Sequence, residues 1–70
     1  MTKLQAVILE TIESNQNRAH WSQIVEAVKT KGFKIKNWMK VRGELQGLLN
    51  DKIIFRENNT TIEVYSKTTA

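Results

Sequence analysis

The chain has 70 residues, no cysteine, and 11 Lys and Arg against 7 Asp and Glu, for a formal net charge of +4 and a pI near 9.7. A chain of this length holds one domain, and without cysteine neither a disulfide nor a thiolate metal site can staple it, so its core has to come from helices packed on a short sheet. Apolar residues make up 40%, a normal globular share that argues against global disorder, and the charge excess points weakly to a polyanionic partner.

The opening stretch from Met1 to Glu10 has a short apolar run broken by Gln5 and Glu10, which does not read as a secretory leader. No run approaches the length of a membrane span, so no membrane partner is expected, and a cytoplasmic location is the default. From Lys3 to Ser14, Leu4, Val7, Ile8 and Ile12 fall at helical spacing, with Thr2 placed to cap the start. The polar run from Ser14 to Arg18 predicts a loop. A second helix is expected from Trp21 to Lys31, with Trp21, Ile24, Val25 and Val28 as its apolar stripe and His20 or Ser22 as its cap. Gly32 stops it, and Lys29 and Lys31 suit the negative end of its dipole. Phe33 and Ile35 pack a short connector before a third helix, capped by Asn37 and running to about Asn50. Trp38, Val41, Leu45, Leu48 and Leu49 form its buried face.

After Asp51 and Lys52 the period changes. Residues 53–57 and 61–65 are rich in strand formers, and Asn58, Asn59 and Thr60 signal the turn of a hairpin between them. Ile62 and Val64 alternate with Thr61, Glu63 and Tyr65, which predicts Ile62 and Val64 inward and Tyr65 outward. A short strand around Ala19 and His20 could join the hairpin. The tail from Lys67 is expected to fray. The fold class is therefore α+β, a single domain of three helices with a two- or three-stranded antiparallel sheet.

This order resembles the winged helix-turn-helix family over almost the whole chain. The resemblance rests on the run from Val41 to Arg56, VRGELQGLLNDKIIFR, with Asn50-Asp51-Lys52 in the place of a more common Lys-Gly turn, and on His20-Trp21-Ser22-Gln23-Ile24 at the entry to helix two. It implies that the third helix is the recognition helix and that the hairpin is the wing.

On that helix, Lys36, Met39, Lys40, Gly43, Gln46, Gly47 and Asn50 fall opposite the buried stripe. Lys34, Lys36, Lys40 and Arg42 cluster near its N-terminal end, where cations can reach phosphates and Arg or Gln can read base edges. Gly43 and Gly47 each cost on the order of 1 kcal/mol in a helix interior and smooth the face for the close approach of another backbone. The candidate nucleic-acid contacts are thus Arg18, Lys34, Lys36, Asn37, Lys40, Arg42, Gly43, Gln46, Gly47 and Arg56. The wing tip from Glu57 to Thr60 has no Lys or Arg and reads as a plain turn, not as a minor-groove grip.

Trp21 and Trp38 read as core packing more readily than as base-stacking platforms. A lone His20 argues against a metal site. There is no nucleophile–base set, glycine-rich phosphate loop or paired carboxylates, so no enzyme and no cofactor are expected. Glu10, Glu13, Glu57 and Glu63 read as surface charges. The expected function is sequence-specific binding of duplex DNA in transcription or recombination, of the kind small phage and mobile-element proteins perform. The alternatives are a protein-interaction module using Met39, Gly43 and Gly47, and RNA binding through the same basic face. A monomer and a homodimer both remain open, a dimer having only helix one, the sheet edge or the tail to use.

Overall fold

The computed structural model describes residues 1–58 and 61–68. It is an α+β fold with the order α1 (Lys3–Ser14), β1 (Arg18–His20), α2 (Trp21–Thr30), α3 (Trp38–Asn50), β2 (Ile54–Arg56) and β3 (Val64–Lys67). The sheet is antiparallel with β3 in the middle, in the order β1-β3-β2.

Local chemistry sets the helix boundaries. Thr2 and Gln5 form a reciprocal capping box at the start of α1, so two backbone N–H groups that a helix start leaves orphaned are satisfied. His20 occupies the N-cap of α2, and the Gln23 side chain accepts from its backbone N–H at 3.0 Å. Asn37 caps α3 by accepting from Met39 N–H at 3.0 Å. Gly32, at φ 88°, ends α2: Gly32 N–H donates to Lys29 and Phe33 N–H to Val28, a Schellman closure. The same closure ends α3 through Lys52 N–H to Leu49 and Ile53 N–H to Leu48, with Lys52 itself at φ 59°. The α1–β1 turn places Gln16 and Asn17 at φ 61° and 63°, and Arg18 N–H reaches back to Asn15.

The core lies between the helices and the inner sheet face. Leu4, Ile8 and Ile12 of α1 meet Ile24 and Val28 of α2, Val41, Leu45 and Leu48 of α3, and Ala19, Ile54 and Tyr65 of the sheet. Fully burying one such aliphatic side chain contributes about 1.5–3 kcal/mol. α1 is the element against which both other helices pack. Val7, Trp21, Phe33, Ile35, Trp38 and Leu49 close the rim, half-buried.

The hairpin departs from its expected phase. Ile62 lies outside the strand and is 56% exposed, whereas Tyr65 is buried. Val64, Tyr65 and Ser66 of β3 are all buried, so the period-two alternation is lost. Ser66 and Lys67, expected near a frayed end, are in β3, and Lys67 N–H donates to Asn17. Thr69 and Ala70 of that tail, like Asn59 and Thr60 of the wing tip, lie outside the described residues.

Candidate nucleic-acid interface

Charge along the chain is unevenly placed. The segment 29–42 carries six of the eleven Lys and Arg residues and none of the seven acids, so the rest of the chain, with five cations against seven acids, is net negative. The segment comprises the last turn of α2, the connector and the first turns of α3. Lys34, Lys36 and Lys40 are exposed and have no ion-pair partner among the described residues. Lys29, which the sequence reading placed only at the negative end of the α2 dipole, belongs to the same cluster: its ammonium lies 6.0 Å from the centroid of the Trp38 ring. Lys31 is at 3.5 Å from Glu10 on α1.

Two of the three arginines expected at phosphate, Arg42 and Arg18, are engaged elsewhere. Arg42 Nη1 donates to both Glu63 oxygens, at 3.3 and 3.0 Å, and its guanidinium stacks 4.2 Å from the centroid of the Trp21 ring. Tyr65 Oη donates to the same carboxylate at 3.3 Å. The Arg42 hydrogen bond holds the Glu63 carboxyl below its ordinary value, against an opposing push from burial. Burial, and then the charge of Glu63, push the Tyr65 hydroxyl up. Arg56 is exposed on β2 and adds to the positive field at Glu63. Arg18 pairs with Glu57, and Ser66 Oγ donates to that carboxylate at 3.2 Å. Glu57 and Glu63 are therefore structural partners of arginines rather than free surface charges. Glu13, also expected to be free, receives Lys67 Nζ at 2.6 Å.

The two glycines of α3 also part company. A Cβ on Gly43 would meet nothing within 4 Å, so Gly43 is on the open face as expected. A Cβ on Gly47 would stand 2.6 Å from Gln5 Nε2, so Gly47 faces α1. Its missing side chain lets the Gln5 amide pass and donate to Glu44 O at 3.2 Å. The close approach that Gly47 permits is thus internal. Thr2 Oγ1 donates to the Glu44 carboxylate on the same flank.

What remains outward on α3 is a strip of Met39, Gly43, Gln46 and Asn50, residues that recur on one side at about 100° per residue. All four are exposed, Met39 at 70%. Gln46 Nε2 donates to Asn50 Oδ1 at 2.9 Å, an i,i+4 pair whose spacing was visible in the sequence. The strip is flanked at its start by Lys36 and Lys40. Among the described residues no group of three His, Asp or Glu could hold a metal ion, and no helix is long and apolar enough to cross a membrane.

The chain matches no family model, no curated protein and no solved structure.

Proposed function

We propose that this chain is a small winged-helix DNA-binding protein that lays the outward strip of α3 in the major groove and grips the flanking phosphates with Lys34, Lys36 and Lys40. The observation that carries the reading is the acid-free cationic segment 29–42 on an otherwise net-negative molecule. A polyanion attracts that face and repels the remainder, so the field both binds and orients. The order of three helices followed by β2 and β3, with β1 completing the sheet, supports the winged-helix assignment. The major groove is about 12 Å wide and admits a helix, and α3 offers it a face with no bulky charge along its centre. Arg42 and Arg18 are not phosphate contacts in this arrangement. Arg42 instead fixes the wing to α2 and α3 through Glu63 and Trp21. A role in regulating transcription or recombination follows if the contact is sequence-specific.

The test is fluorescence anisotropy of a labelled random-sequence duplex over a series of salt concentrations. Binding should weaken with salt with a slope of about 0.9 per phosphate neutralised, hence near 3 for three lysines. The triple variant Lys34→Ala, Lys36→Ala, Lys40→Ala should lose most of that slope while keeping its fold. No binding at low salt, or full binding by the triple variant, overturns the proposal. Structured RNA that outcompetes duplex DNA would move the ligand to RNA.

A further inference from the structure

Resting on the reading above, we infer that α3 reads adenine·thymine base pairs, with Gln46 as the residue that determines specificity, oriented by Asn50. The outward strip holds two carboxamides and a thioether, and no cation. In the major groove adenine presents an acceptor, N7, beside a donor, the N6 amino group. A carboxamide matches that pair in two hydrogen bonds, and an apolar group suits the thymine methyl. Guanine presents two acceptors and is matched best by a guanidinium. The one guanidinium on α3 is Arg42, and it is held by the Glu63 carboxylate and the Trp21 ring on the flank of the helix.

The Gln46–Asn50 hydrogen bond sharpens the match. Gln46 spends one of its two Nε2 hydrogens on Asn50 Oδ1, and its other hydrogen and its Oε1 have no partner among the described residues. Those are the donor for N7 and the acceptor for N6–H. Asn50 fixes the plane of the amide and so lowers the entropy lost on binding. Met39, nearly two turns toward the start of the helix, supplies the thymine-methyl contact. Gly43 between them leaves open space for the base edge to approach. Lys40 lies about 100° round the helix from Met39, to the side of the strip and toward the backbone of the duplex.

Three duplexes of one length and charge test this: a random flank around an A·T core, a G·C core, or an inosine·cytosine core. Inosine·cytosine shows the G·C pattern in the major groove and the A·T pattern in the minor groove. The A·T duplex should bind at least about fivefold tighter than either of the others. Gln46→Ala should abolish that preference and leave the salt slope unchanged, since it removes no phosphate contact. Asn50→Ala should reduce the preference in part. Equal affinity for A·T and G·C cores, or tighter binding to G·C, overturns the inference and leaves the DNA-binding reading standing. Inosine·cytosine binding as tightly as A·T also overturns it, because the readout would then come through the minor groove or duplex shape. Absence of binding to all three refutes the DNA-binding reading itself.

Discussion

Replacing each α3 glycine by alanine in turn separates the two faces of the helix. Alanine in place of glycine in a helix interior gains about 0.8–1.0 kcal/mol from propensity alone. At Gly43 nothing opposes that gain, because the added Cβ meets open space. Gly43→Ala should therefore stabilise by about 1 kcal/mol, which raises the Tm of a domain this size by about 4–8 °C. At Gly47 the same Cβ would stand 2.6 Å from Gln5 Nε2. The Gln5 side chain must swing away, and it is held at both ends: Nε2 donates to Glu44 O and Oε1 accepts from Thr2 N–H. Each such bond contributes about 0.5–1.5 kcal/mol, so losing both, as a swing of the whole side chain requires, cancels or exceeds the gain. Gly47→Ala should leave Tm unchanged or lower it. Thermal melts followed by far-UV circular dichroism measure both variants. Equal increases at the two positions would refute the placement of Gly47 against α1. Gly43→Ala should also weaken duplex binding, and unaltered affinity in the stabilised variant would argue that no groove wall comes close to this face.

Lys52 and Gln16 hold left-handed backbone that favours glycine, so Lys52→Gly and Gln16→Gly should each raise the unfolding free energy measured in urea, by about 1 kcal/mol at most once the extra freedom of the unfolded chain is counted. Arg42→Ala should cost about 1–2 kcal/mol, from a part-exposed ion pair and a cation–π contact, yet change the salt slope of duplex binding less than Lys40→Ala does. Glu63 titrates below its ordinary 4.5 in the folded state, so its contribution is complete above 4.5 and is lost as the pH falls through the folded value; in Glu63→Gln the acid limb of the stability curve should flatten. Tyr65 titrates above 10.0 when folded, so its contribution is complete below 10.0 and is lost as the pH rises toward the folded value; in Tyr65→Phe the alkaline limb of the stability curve should flatten.

Features set by neighbours in sequence were legible. The Thr2 cap, the Gly32 stop and the Asn37 cap each depend on groups within a few residues, and each is where the residue pattern puts it. The strand at Ala19 and His20 was legible too, though not its pairing with β3. The basic start of α3 is a property of composition along the chain, and Lys34, Lys36 and Lys40 stay exposed in the fold while Arg42 is drawn onto Glu63. The rest depended on partners far away in sequence. A helical wheel gives α3 an inside and an outside, but α1 also covers one flank, at Glu44 and Gly47, and the approach to β3 covers the other, at Arg42. Nothing local ties Arg42 to Glu63 or Arg18 to Glu57, so the ion pairs of these two arginines were not legible. The strand phase failed at Ile62 and Tyr65 because alternation marks a strand with one wet face, and β3 has neither face fully wet.

The position of β3 also dictates the order in which the molecule can be completed. β3 follows β1 and β2 in the chain, yet it is the strand to which both are hydrogen-bonded. β1 therefore waits for a partner that leaves the ribosome more than forty residues later. Until Val64–Lys67 has emerged, the backbone of β1 and β2 stays solvated, and Tyr65 is missing from the core beside Ala19 and Ile54. The three helices can collapse early during synthesis, but the sheet, and with it the clasp of Glu63 on Arg42 that steadies α3, closes only after Val64–Lys67 has emerged.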